Sequence, residues 1–210
     1  MASLTENETE IKNLIRDSAQ KLFFIHGFTK VTMDEIASKI GISKKTIYKH
    51  YPGKAELIRE ITEKILAEVE DGMREIVQAS NVDFSGKFQK MLTFVGIHLS
   101  KLNRTILEDI KQNAPQLWKK ISECRVKSIY VNFGKLMREG RQKGMFRSDI
   151  DEQLVLLIYS NIVENTINPE ILSQLPLSAT QVYEAIVKVV FEGILSEEAR
   201  IQFKNSRKIN

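Results

Sequence analysis

Cysteine is almost missing from this 210-residue sequence. Cys124 stands alone, so no disulfide can form within the chain and no zinc site can be assembled from several thiolates. Long apolar runs are missing too: the longest, Leu154 to Tyr159, is far too short to cross a bilayer. The opening stretch Met1 to Glu10 is polar and acidic, where a secretory leader is basic and then apolar. A reducing cytoplasm is the expected location, without a membrane partner. Catalytic equipment is equally sparse. His26, His50, His98 and Cys124 stand in no metal-ligand or catalytic spacing, and there is no glycine-rich phosphate loop, no pair of histidines four apart and no glutamate–histidine metal helix. Neither an enzyme nor a bound cofactor or metal is expected.

What is present is a globular composition, 42% hydrophobic, with apolar residues recurring at helical spacing through almost the whole chain. The pattern predicts an all-α fold of about nine helices and no sheet. The first is expected from about Glu8 to His26, burying Ile11, Leu14, Ile15, Ala19, Leu22 and Phe23 and ending at Gly27. Thr32-Met33-Asp34-Glu35 fits a capping box opening a short helix to Ile40. Gly41 breaks that helix, and Ser43 caps a third that reaches His50 before the turn Tyr51-Pro52-Gly53. A long helix from Lys54 or Ala55 to about Ala79 follows, then a linker from Ser80 to Gly86. Further helices are expected over Lys87 to Lys101, Asn103 to Gln112, Pro115 to Gly140, Asp151 to Asn168 and Ser178 to Ser196. Pro169 and Pro176 bracket the last loop, and the tail after Ile201 is polar and basic.

The net charge of +4 is modest, but its distribution is not. Lys39, Lys44, Lys45, Lys49 and Lys54 occur in one segment without an intervening acid, whereas Glu6, Glu8 and Glu10 crowd the N-terminus. A lysine-rich stretch is also what a solvated helix face looks like. The surrounding residues are more specific. In a helix-turn-helix two short helices cross closely, so the first needs a small residue at the crossing, the turn a glycine and the second an inward apolar residue. Ala37, Gly41 and Ile47 meet these demands at offsets of four and six, with Ile36, Ile40 and Ile42 as packing partners. A capping box before them and lysines after them point to DNA binding.

The same segment resembles a known family. Ala19, Leu22-Phe23, Gly27-Phe28, Thr32, Ile36-Ala37, Gly41-Ile42-Ser43, Thr46-Ile47-Tyr48, Tyr51-Pro52, Lys54 and Leu57 are similar to the N-terminal signature of the TetR family of bacterial regulators, over roughly Ile11 to Ile58. His50 departs from the other aromatic residue that many members carry there. The resemblance implies an N-terminal three-helix DNA-binding domain, 1–53, joined by the long helix to a helical effector-binding and dimerisation domain, 54–210. Geometry and resemblance together place Ser43, Lys44, Lys45 and Thr46 at the major groove, with Tyr48, Lys49, His50 and Tyr51 towards the DNA backbone or thymine methyl groups. By resemblance Thr32 and Lys54 are phosphate anchors, though capping accounts for either equally well.

Beyond Ala79 only the general architecture of the family is matched. Phe94, His98, Trp118, Tyr130, Phe133 and Tyr159 are candidates to line an effector pocket, ordinary packing being the alternative for each. The family's dimer is a four-helix interface. Leu154, Leu157, Ile158, Asn161, Ile162 and Asn165 on one helix, and Tyr183, Ile186, Val187, Val190, Phe191 and Ile194 on another, form the stripes suited to it, with intramolecular core as the alternative. The expected function is a homodimeric transcriptional regulator, by resemblance a repressor. It would bind a palindromic double-stranded DNA operator and be released by a small, largely apolar effector. A helical protein-binding adaptor without DNA activity is the rival.

Overall fold

A computed structural model describes residues 2–198 and 200, with side chains from residue 7 onward; the expected tail after Ile201 lies outside them. Their regular elements are all helices, and the one strand-like contact is an isolated bridge between Phe146 and Leu195. Helix α1 spans Ala2–His26, α2 Met33–Lys39, α3 Lys44–His50 and α4 Lys54–Gln78. They are followed by α5 (Phe84–Ser100), α6 (Arg104–Asn113), α7 (Pro115–Ser128), α8 (Gly134–Gln142), α9 (Glu152–Thr166), α10 (Pro169–Gln174) and α11 (Ala179–Ile194).

Four boundaries differ from expectation, each for a local reason. α1 begins at Ala2 instead of Glu8, because the polar residues before Glu8 include no proline or glycine to stop it. α5 starts inside the expected linker, where the Asp83 carboxylate accepts the Gly86 amide at 2.9 Å. The helix expected over Pro115 to Gly140 is present but contains a wider turn of π type at Ile129–Phe133, between α7 and α8. The loop expected after Pro169 is the short helix α10. Proline fits its first turn, and the Asn168 side chain caps it by accepting the Ile171 amide at 3.0 Å.

Packing divides the chain into two compact units, residues 1–68 with 101–121 and residues 69–100 with 122–210. The boundary at 53/54 follows the motif; packing adds the first part of α4 and residues 101–121 to the motif's own unit. In the first unit Ile15, Ala19 and Phe23 recur every fourth residue and form one buried stripe of α1. Met33, Ile36 and Ala37 of α2, Ile47 of α3, Leu57 and Ile61 of α4 and Ile106 of α6 close over it. Leu14, expected on that stripe, is half exposed because the stripe is narrower than the apolar content of α1.

The second unit is built around aromatic side chains. Phe84, Phe88, Phe146, Phe133, Tyr159 and Phe191, from α5, the turns on either side of α8, α9 and α11, pack with ring centroids 4.5–6.2 Å apart, mostly edge to face.

Candidate nucleic-acid interface

The segment from Thr32 to Tyr51 folds as two short helices held at a fixed crossing. Thr32 opens α2 through a full capping box: its hydroxyl accepts the Glu35 amide at 3.1 Å and its own amide donates to the Glu35 carboxylate at 2.7 Å. That amide, then the Thr32 hydroxyl, hold the Glu35 carboxyl below the usual carboxylate range. The turn is made by Gly41 at φ +71°, where no neighbouring atom lies within 4 Å of a Cβ, so glycine is required for conformation and not for space. The Ile42 amide donates to the Ala37 carbonyl at 3.0 Å and closes the turn. Ser43 caps α3 by accepting the Thr46 amide at 3.0 Å. Ile47 points inward, fully buried, while Ser43, Lys44, Lys45, Tyr48 and Lys49 are exposed.

These exposed residues are the ones read from the sequence as DNA contacts, together with the half-buried Thr46 and His50. Tyr51 is different. It is fully buried, and its hydroxyl donates to Glu60 at 3.0 Å, which removes it from any surface contact and makes it a core residue. Burial, then the Glu60 carboxylate, pushes its phenol far above the ordinary range. Thr32 devotes both hydrogen-bonding groups to its cap. Lys54 donates to the carbonyls of Thr29 and Val31, each at 3.0 Å, so its ammonium braces the α1–α2 loop. The lysine cluster is also less uncompensated than the sequence indicates. Lys49 pairs with Glu8 at 2.5 Å and Lys44 pairs with Asp34, both acids lying outside the stretch counted.

The α1–α2 loop is gripped from a second side by a residue that sequence reading passed over. The Asp109 carboxylate on α6 accepts the Thr29 amide at 2.7 Å, the Thr29 hydroxyl, and the Asn113 side-chain amide at 2.9 Å. Burial raises its pKa, but these bonds outweigh burial and hold the carboxyl below its usual range. Gly27, at φ +82°, permits the approach: a Cβ there would lie 2.8 Å from Asp109 Oδ2. No local sequence signal links residues eighty positions apart.

A family model described as bacterial regulatory proteins, tetR family, matches residues 15–61, the segment containing α2, the Gly41 turn and α3. Over this segment the chain matches the TetR family. Among curated relatives it is 26% identical over 167 residues to the uncharacterized HTH-type transcriptional regulator YvaF of Bacillus subtilis, covering 80% of this chain and 87% of YvaF. It is 27% identical over 154 residues to the HTH-type transcriptional repressor KstR2 of Rhodococcus jostii, covering 71% and 74%. The fold is also that of SmeT from Stenotrophomonas maltophilia, solved in complex with triclosan, with a TM-score of 0.64, 14% identity and coverage of 90% and 93%. These likenesses are to DNA-binding regulators and not to enzymes.

In the second unit the expected effector residues do not form one group. Phe133 and Tyr159 are buried in the aromatic core, their rings 5.0 Å apart. Phe94 and His98 stack one turn apart on α5 at 4.4 Å, and Tyr130 is exposed. Trp118 belongs to the first unit, where Lys111 lies over its ring at 5.6 Å. The expected dimer residues separate as well. On α9, Leu154, Leu157, Ile158, Asn161 and Asn165 are exposed and Ile162 is half-buried, forming a face without a charge. On α11, Tyr183, Ile186, Val187, Phe191 and Ile194 are buried within their own unit and cannot also meet a partner; Val190 is half-buried. The exposed side of α11 carries Ala185 and Val189 beside the charged Glu184, Lys188 and Glu192, and α11 packs against α9.

Proposed function

We propose that this chain is a cytoplasmic, homodimeric repressor that reads a palindromic operator with α3 and is released from it by a small, largely apolar ligand bound in the second unit. The observation that carries the DNA-reading part is the exposed face of α3. Ser43, Lys44, Lys45, Tyr48 and Lys49 stand together on a helix too short to bury more than Ile47, in the geometry that lays such a helix in a major groove. A single seven-residue helix offers little specific contact area, so tight recognition calls for two copies. The uncharged exposed face of α9 supplies a surface for that pairing. Among the described residues no helix is long and apolar enough to cross a membrane, in keeping with a partner that is DNA.

The ligand reading rests on kinship and composition. KstR2 is a repressor and SmeT was solved with triclosan, an aromatic molecule, while the second unit here is lined internally by phenylalanine and tyrosine. The Tyr183 and Tyr159 hydroxyls lie beside each other in that interior, and burial raises both phenols above their ordinary range, so both stay neutral polar groups in an otherwise apolar setting.

Selection of bound duplexes from a random pool tests the central reading. The recovered motif should be an inverted repeat bound by a dimer; a single asymmetric site bound by a monomer would defeat it. Absence of salt-sensitive duplex binding would instead favour the protein-binding adaptor.

A further inference from the structure

Two of the three lysines on the exposed face of α3 are held by carboxylates of the same chain. Glu8, near the start of α1, takes Lys49 at 2.5 Å across forty-one residues, and Asp34, in the first turn of α2, takes Lys44. Lys45 meets no carboxylate among the described residues. Both pairs are open to solvent, with side chains 65% and 56% exposed in the first and 72% and 47% in the second. Pairs this exposed add little to folding stability. Their position is what distinguishes them, since they occupy the surface that turns towards a polyanion when α3 meets DNA.

We propose that Glu8 and Asp34 are electrostatic brakes on DNA binding, masking Lys49 and Lys44 so that α3 holds a duplex less tightly than its lysines alone would. The proposal rests on α3 being the DNA-contacting helix. On binding, each masked lysine exchanges a carboxylate for a phosphate, so only the difference between the two attractions is gained. The displaced carboxylate is then left close to a row of phosphates that repel it. Lys49 holds the Glu8 carboxyl below its usual range and Asp34 raises the Lys44 ammonium, so both masks persist at neutral pH. The brake acts most strongly on binding that consists of phosphate contacts alone. Base contacts made by side chains other than Lys44 and Lys49 are untouched by it, so it lowers non-specific occupancy more than operator occupancy and sharpens discrimination. This gives a use to the acidic start of α1, which the helix-turn-helix itself does not need.

The test compares the full-length wild type with Glu8→Gln and Asp34→Asn, which remove charge while keeping shape. Each is titrated across a salt series against two fluorescein-labelled probes: a random-sequence duplex several helical turns long and a duplex selected by the wild-type protein. Circular dichroism melts confirm that folding is unchanged. Each variant should bind the random duplex about threefold to tenfold tighter at low salt, with a steeper salt dependence and a smaller ratio of selected to random affinity. The gain from Glu8→Gln should shrink in a Lys49→Ala background, and that from Asp34→Asn in a Lys44→Ala background, leaving only the carboxylate's own repulsion by the phosphates. A gain that survives undiminished there reflects net charge alone and overturns the masking. Unchanged or weaker random-duplex binding by both variants, beside a wild type that binds with ordinary salt dependence, overturns the brake and leaves the DNA-binding reading standing. A wild type that binds no duplex at any salt overturns that reading and the brake with it.

Discussion

Lys45 and Lys44 are neighbours in sequence, yet among the described residues Lys44 is tied to a carboxylate and Lys45 is not. Lys45→Ala should leave the melting temperature unchanged and weaken duplex binding. A base contact would cost about 1–3 kcal/mol and relax preference at one position of the site, whereas a phosphate contact would weaken all sequences alike. Binding titrations on point variants of the selected duplex separate these outcomes. Asp109 makes the opposite kind of prediction, a loss of stability. Its folded carboxyl lies below its ordinary range, so its contribution is fully present above the unfolded value of about 3.9 and is lost as pH falls through the folded value. Asp109→Asn should therefore melt lower than wild type near neutral pH, by the equivalent of about 1–3 kcal/mol for hydrogen bonds to a charged group, and the gap should close in acid. Equal gaps at both pH values would show that the charge is irrelevant. At this scale the sequence revealed which residues crowd α3, but not their partners. Glu8 with Lys49 and Thr29 with Asp109 are joined only by folding, and no periodicity brings them together.

At the scale of elements, positions with strong local chemistry were legible. The Thr32 capping box starts α2, and Ser43 with Gly41 defines the turn and the start of α3, because each is dictated by side chains within a few residues. Gly41→Ala tests the turn. With no atom near a Cβ, the penalty is the left-handed backbone alone, about 1–2 kcal/mol, and Gly41→Asn should recover most of it in thermal denaturation. Ile47→Ala is expected to cost more, about 2–5 kcal/mol, since it empties a fully buried site between the two helices. What escaped sequence reading were elements whose signals conflict. Pro169 marks a loop and a first helical turn equally well, and the π turn at Ile129–Phe133 keeps the apolar pattern of the helix it widens. Which face of α11 is buried was also not legible, because Tyr183, Ile186 and Phe191 would suit a partner helix or their own core alike.

For the molecule as a whole, the exposed α9 face yields a prediction about assembly. Leu157→Glu places a charge in the middle of that uncharged surface and should shift the protein towards monomer in sedimentation, with its helical content retained and its operator affinity sharply reduced. A variant that stays dimeric would move the interface elsewhere. The composition of the compact units reaches further. The unit that carries α3 is drawn from two separate stretches, 1–68 and 101–121, with thirty-two residues of the other unit, 69–100, threaded between them. Ile106 completes its core and Asp109 fastens its loop, so the helix-turn-helix is not a detachable module. During synthesis on the ribosome the DNA-reading helices emerge early, but they cannot take their final packing until residue 121 has left the exit tunnel.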